Sequence, residues 1–230
     1  MAEFELDNPV WSALTSRHAA FARRSANAAR YPAQVAPFVA VDPADALALV
    51  QLASLVDVGE TVLFVGPAPP LDSNWSVVEP LVHIAQMVCA ARLPVNDGPE
   101  VIELSAAHRA DVLDLTARVY PHYFRPRTMD LGRYFGIYDG AKLAALAGER
   151  MRLHGHTELS AICTDPAYVG RGYAQRLTAM LTNDLLEQGV QPFLHVSQAN
   201  TRAKSLYERM GYRFRADIPL LAVRRAASPD

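Results

Sequence analysis

The stretch from Thr157 to Ala174, Thr-Glu-Leu-Ser-Ala-Ile-Cys-Thr-Asp-Pro-Ala-Tyr-Val-Gly-Arg-Gly-Tyr-Ala, constrains this chain more than any other. Leu159, Ala161 and Ile162 lie in a β-prone run. Asp165-Pro166 must end it, because proline cannot donate to a ladder and pushes the preceding residue out of the helical region. Gly170 and Gly172 then let the backbone approach a ligand closely. Ala174, Leu177, Leu181 and Leu185 recur at spacings of three and four, so a helix opens where the glycines end. Unpaired N–H groups at a helix start, the positive end of its dipole and the lack of glycine side chains make an anion site suited to a phosphate or pyrophosphate. Taken alone, Gly-x-Gly is weak, since a glycine pair between strand and helix is more often just a tight turn.

The residues that follow narrow the choice. A second strand is expected over Pro192 to Ser197, leading through Gln198-Ala199 to Asn200. A helix from Thr201 to Met210 comes next, with Tyr207 inside it and Gly211-Tyr212 closing it. In this order of strand, glycine loop, helix, strand, asparagine and tyrosine-bearing helix, the C-terminal third resembles the core of the GNAT superfamily of N-acetyltransferases. The likeness extends more weakly back to about Val101. The resemblance implies an α/β fold with a mixed sheet, acetyl-coenzyme A as cosubstrate, no metal, and acetyl transfer to an amine by direct attack in a ternary complex.

In that family the loop reads Arg or Gln, two residues, Gly, one residue, then Gly or Ala, and it cradles the pyrophosphate of the cofactor through backbone amides. Here Val169, Gly170, Arg171, Gly172, Tyr173 and Ala174 occupy it. Val169 departs from the pattern and supplies no polar side chain; Arg171 is positioned to compensate in part. Ile162, Cys163 and Thr164 correspond to the strand whose backbone pairs with the pantetheine arm and polarises the thioester carbonyl. Asn200 corresponds to the residue that hydrogen-bonds that arm, and it also reads as a helix cap. A gap between this strand and Pro192 to Ser197 is the family's entry for the cofactor.

Acetyl transfer needs a neutral amine, and a lysine-like amine with a pKa of ~10.4 is mostly protonated at neutral pH. Glu158 matches the register of the catalytic glutamate that some GNAT enzymes carry, and is expected to accept the proton with a pKa raised by partial burial. A strand carboxylate in an ion pair is the competing reading, with His156 and Glu149 as weaker candidates for the base. The leaving thiolate gains from a proton donor, and Tyr207 stands where the family places its general acid. Cys163 as a nucleophile is set aside, since no histidine stands in evident partnership and direct attack needs no covalent intermediate. A P-loop nucleotide enzyme is excluded because the loop lacks the Gly-Lys-Ser/Thr ending. A non-catalytic acyl-coenzyme A sensor, with Val169 as a mark of drift, is the alternative function.

The remaining chain reads as scaffold. Its 230 residues, half of them hydrophobic, and its net charge of −2 allow one large or two small domains and give no nucleic-acid footprint. No signal peptide and no membrane span are expected, so the protein is placed in the cytoplasm, as a monomer or homodimer. Cys89 and Cys163 have no metal-ligand spacing and read as buried thiols. Asn8-Pro9 should open a helix carrying Trp11, Leu14, His18 and Phe21. Strands are expected at residues 35–41 and 61–65, and a helix at 43–56 capped by Asp42. The segment 77–91 reads as strand or helix, and His83 on it as a core histidine. The Pro- and Gly-rich segment 93–100 marks a boundary between an N-terminal α/β domain, residues 1–97, of possible degenerate GNAT-like type, and a catalytic domain, residues 98–230. Beyond it come a strand at 101–104, a helix at 106–120, and an aromatic and basic cluster at 120–127 that either shapes an acceptor pocket or is a packed loop. A hairpin turning at Asp139-Gly140 follows.

Overall fold

The structure, a computed structural model, describes residues 2–42, 44–119, 121 and 123–227. Among them are strands β1 (Arg23–Ser25), β2 (Ala28–Arg30), β3 (Phe38–Val41), β4 (Thr61–Val65), β5 (Trp75–Val88), β6 (Ile102–Leu104), β7 (Tyr134–Asp139), β8 (Lys142–Leu153), β9 (His156–Thr164), β10 (Gln191–Ser197) and β11 (Arg213–Arg225). The α-helices are α1 (Ala2–Asp7), α2 (Pro9–Leu14), α3 (Ala48–Ala53), α4 (Arg109–Val119), α5 (Tyr173–Glu187) and α6 (Thr201–Met210). All the strands join one mixed sheet in the order β1, β2, β3, β4, β11, β5, β10, β9, β8, β7, β6. The α/β class expected from the sequence is the class found.

Strand β11 lies between β4 and β5, and β5 lies between β11 and β10. Strands from either side of residue 97 therefore alternate within the sheet, and the segment 93–100 is a connection from β5 to β6 rather than a break in it. One core cluster likewise joins Val10, Tyr31 and Phe38 to Met151, Phe193 and Ile218. The ambiguous segment 77–91 is mostly strand, its β-branched residues prevailing over its length. Residues 76–83 of that strand are exposed on the sheet. His83 is among them, against the expectation of a core histidine.

Helix α2 starts as its sequence requires, with the Asn8 side chain accepting from Trp11 N and Pro9 in the first turn, but it ends at Leu14. A 3-10 turn takes over at Ala19–Phe21, short of the single helix expected. Helix α3 is shorter than 43–56, and Pro43 falls outside the described residues. The hairpin of β7 and β8 turns at Asp139-Gly140 as expected. Helices α4 and α5 cover opposite faces of it: Val112 and Leu115 of α4 pack with Leu146, while Leu177, Leu181 and Leu185 of α5 pack with Ala145 and Ala147. Alternation along β8 dictates this division.

Gly148 faces Tyr134 across β7 and β8. A Cβ there would lie 2.3 Å from the buried Tyr134 ring. Gly148→Ala is therefore expected to displace the ring and to lower unfolding free energy by roughly 1–3 kcal/mol, as overpacking does, measured by urea denaturation. Gly140→Ala, with open space around its Cβ, would carry only the strain of its positive φ and serves as the comparison.

Candidate active site

The organising strand is interrupted. Between the pairs Leu146 with Cys163 and Gly148 with Ser160, the two residues Ala161 and Ile162 stand opposite the single Ala147. This is a β-bulge, and Ala161 takes a φ of 52°, a left-handed conformation rare outside glycine. The bulge re-aims the strand: Leu159 packs toward α5, whereas Ala161 and Cys163 pack toward α4. It also frees backbone groups from the ladder, the kind of strained arrangement that clusters at functional sites.

On the other edge, β9 pairs in parallel with β10 only from Gln191 with His156 to Leu194 with Leu159. Past that point the strands part, and a cleft of about 320 Å³ opens between Ser160 to Cys163 on one side and His195 to Ser197 on the other. Asn200, Ala203 and Tyr207, on one side of α6, line its far wall. The Asn200 side chain accepts from Ala203 N at 3.1 Å and so caps α6 while bordering the cleft. Tyr207 is buried among Met87, Leu194 and Tyr212 and reaches the same cleft.

Beyond the end of β9, Gly170 and Gly172 take φ values of 90° and 77°, with open space where a Cβ would stand. Gly172 caps α5 from the left-handed region, and no side chain caps the first turn, so its amides face the loop. Asp165 stops β9 with its carboxylate held by Arg118 and Lys142 and by Ala167 N, well below the usual carboxylate range. Val169 is half exposed, and the Arg171 guanidinium lies over the Tyr168 ring at 4.8 Å. Ile162, Cys163, Asn200 and Tyr207 are thus brought together around the cleft. Thr164 and the loop from Val169 to Ala174 lie outside its lining, at the end of the same strand.

Glu158 differs from its expected state. It is fully buried and absent from the cleft lining. The Arg150 Nε and Nη2 donate to its two carboxylate oxygens at 2.8 and 2.5 Å, and His195 Nδ1 lies 2.8 Å from Oε1. Burial alone would raise its pKa, but the charge and hydrogen bonds of Arg150, aided by His195, outweigh it and hold the carboxyl at about 2. The expected raised pKa is corrected by this neighbour, which the sequence did not single out. The weaker candidates fare no better as cleft bases. Glu149 is buried and paired with Arg133, and His156 Nδ1 is engaged with His154 O at 2.9 Å. Burial pushes the Cys163 thiol up to about 12, so it stays protonated.

Three features of the cleft were missed from sequence: Arg150, His195 and an apolar floor. Arg150 and His195 both line it. Gln86 fixes the imidazole: its Oε1 accepts from Arg215 at 2.8 Å and its Nε2 donates to Leu6 O at 2.8 Å, so it presents an N–H to His195 Nε2 at 3.0 Å. His195 Nδ1 then carries the proton toward Glu158. The floor is Phe38, Val65, Ile84 and Leu220, from the consecutive strands β3, β4, β11 and β5, with Val119 and Tyr123 also in the lining. Of the aromatic and basic cluster at 120–127, Tyr123 reaches the cleft and Phe124 packs edge-on against Tyr134, whereas Tyr120 and His122 lie outside the described residues. The only signal for Arg150 was a place among the charged residues Glu149, Arg150 and Arg152 in the last part of an otherwise apolar strand.

Residues 134–218, which span the hairpin, the bulged strand, the glycine loop and α6, match the family model described as FR47-like protein. The whole fold follows that of a crystal structure of a GNAT-family protein from Novosphingobium aromaticivorans, with a TM-score of 0.88 and 29% identity, over 96% of this chain and 99% of that one. The chain has the fold of the GNAT acetyltransferases. A GCN5-related N-acetyltransferase from Kribbella flavida shares the GNAT fold at 17% identity with a TM-score of 0.64, over 97% of this chain and 96% of that one. Among curated proteins, a ribosomal protein bS18-alanine N-acetyltransferase of Haemophilus ducreyi is 38% identical over 52 residues, 22% of this chain. The match spans about a third, 36%, of that relative's length. No group of three or more His, Cys, Asp or Glu among the described residues could hold a metal ion. No described helix is long and apolar enough to cross a membrane.

Proposed function

We propose that this protein of GNAT fold is a cytoplasmic acetyltransferase that moves an acetyl group from acetyl-coenzyme A to an amine by direct attack. The observation that carries the reading is the cleft where β9 and β10 part, bordered by the bulge, Asn200 and Tyr207. Its dimensions and lining suit a pantetheine arm lying along β9, with the pyrophosphate at the amides of residues 170–174 and the thioester carbonyl against the backbone of Ala161 to Cys163. The amine nitrogen forms a bond to the carbonyl carbon, the carbon–sulfur bond breaks, and Tyr207 gives the departing thiolate a proton. The nitrogen releases its own proton to water, from which the phenol is restored.

Glu158 has a different part in this scheme from a base. A carboxyl with a pKa of about 2 that is shut away from the cleft holds Arg150 and sets the His195 tautomer. The cleft itself meets the guanidinium, and a nearby cation favours the neutral form of an entering amine.

The test is release of coenzyme A thiol from acetyl-coenzyme A in the presence of a broad amine panel. Amine-dependent release with formation of the acetylated amine supports the enzyme. Saturable binding of acetyl-coenzyme A without release for any amine would instead make the chain an acyl-coenzyme A sensor.

A further inference from the structure

The acceptor side of the cleft has its own chemistry. Phe38, Val65, Ile84 and Leu220 give an apolar floor that no cofactor contact in the reading above requires. Phe38 and Val65 come from β3 and β4, so the part of the sheet contributed by the first third of the chain supplies this floor. Beside it, on β8, stands Arg150, whose guanidinium stacks on the Phe38 ring at 4.8 Å and is gripped by Glu158 from behind. The order of charges matters. Arg150 and His195 line the cleft and Glu158 does not, so an occupant meets the cationic end of the pair over an apolar surface.

We propose that the acceptor is an apolar amino acid, an amine on an aliphatic or aromatic body that also carries a carboxylate. The body lies on Phe38, Val65, Ile84 and Leu220, the carboxylate is directed to Arg150, and the amine faces the bulge of β9. This rests on the acetyl-transfer reading of the cleft. A body of this kind gains from burial on the floor, a carboxylate gains a charge-assisted contact, and a second cation on the acceptor meets Arg150 with like charge. The bond made is from the amine nitrogen to the acetyl carbon and the bond broken is the thioester, so the products are the N-acetyl amino acid and coenzyme A.

The experiment compares kcat/KM of the unmodified protein for phenylalanine and leucine with that for phenethylamine and isoamylamine, which are the same bodies without the carboxylate, and for spermidine. A contact to a charged group is worth ~1.5–3 kcal/mol, so the amino acids should exceed their decarboxylated forms by roughly 10- to 100-fold, with spermidine lowest. Leu220→Trp, which fills the floor, should raise KM for phenylalanine while leaving the stabilisation by coenzyme A intact. Equal or better use of phenethylamine, or preference for spermidine, with thiol release otherwise robust, overturns the acceptor assignment alone. No release with any amine overturns the transfer reading and this inference with it.

Discussion

Replacing Tyr207 with Phe is expected to lower kcat by roughly 10²–10⁴-fold, the range that a positioned general acid contributes. Asn200, Ala203 and Tyr207 face the cleft along one side of α6, spaced by three and four residues. The ring is packed between Met87, Leu194 and Tyr212, and phenylalanine preserves that packing while removing only the hydroxyl. Stability should change little, and acetyl-coenzyme A should still protect the variant against unfolding. Steady-state turnover with a fixed acceptor separates the outcomes. A fall in kcat with unaltered cofactor binding fits proton donation to the thiolate, whereas an unchanged kcat would assign the departing sulfur's proton to another group.

The second large effect concerns the pair behind the cleft. Arg150→Met leaves Glu158 as an uncompensated buried charge, and breaking such a pair costs roughly 3–5 kcal/mol. Arg150→Met combined with Glu158→Leu removes both charges and should recover most of the loss. Urea denaturation of the three proteins measures this; equal instability of single and double variants would mean that packing around Phe38, not charge, is what Arg150 supplies. The pH dependence has a defined sign. Glu158 has a folded pKa of about 2, below the ordinary value of a glutamate, ~4.3. The stabilisation is therefore present above that ordinary value and is lost as pH falls through it toward 2. The double variant should lack that part of the acid sensitivity.

The elements read correctly from sequence are those whose signals are local. Asp139-Gly140 fixes the β7 and β8 hairpin, Asp165-Pro166 ends β9, and Gly172 starts α5 with its regular leucines. Strand β11 went unread because Pro219 stands inside it and charged residues punctuate it; partners on both sides, β4 and β5, hold it in place. The same long-range pairing explains why residues 1–97 and 98–230 interleave. Near the site, the glycine turn before α5 and the place of Tyr207 within α6 could be read because they sit on contiguous motifs. Arg150 and His195 were not, since their function depends on β8, β9 and β10 lying side by side, and one unseen arginine reversed the direction of the Glu158 pKa.

Thermal unfolding with acetyl-coenzyme A, coenzyme A and ATP in parallel tests the central claim most directly. A ligand held at ~100 times its dissociation constant adds about 2.7 kcal/mol of stability. Both coenzyme A forms should add that stabilisation and raise the transition temperature accordingly, and ATP should not, because on the proposed account the cleft at the parting of β9 and β10 takes the pantetheine arm as well as the phosphates. No rise with either coenzyme A form would contradict cofactor binding at residues 161–174 and, with it, the acetyl-transfer account.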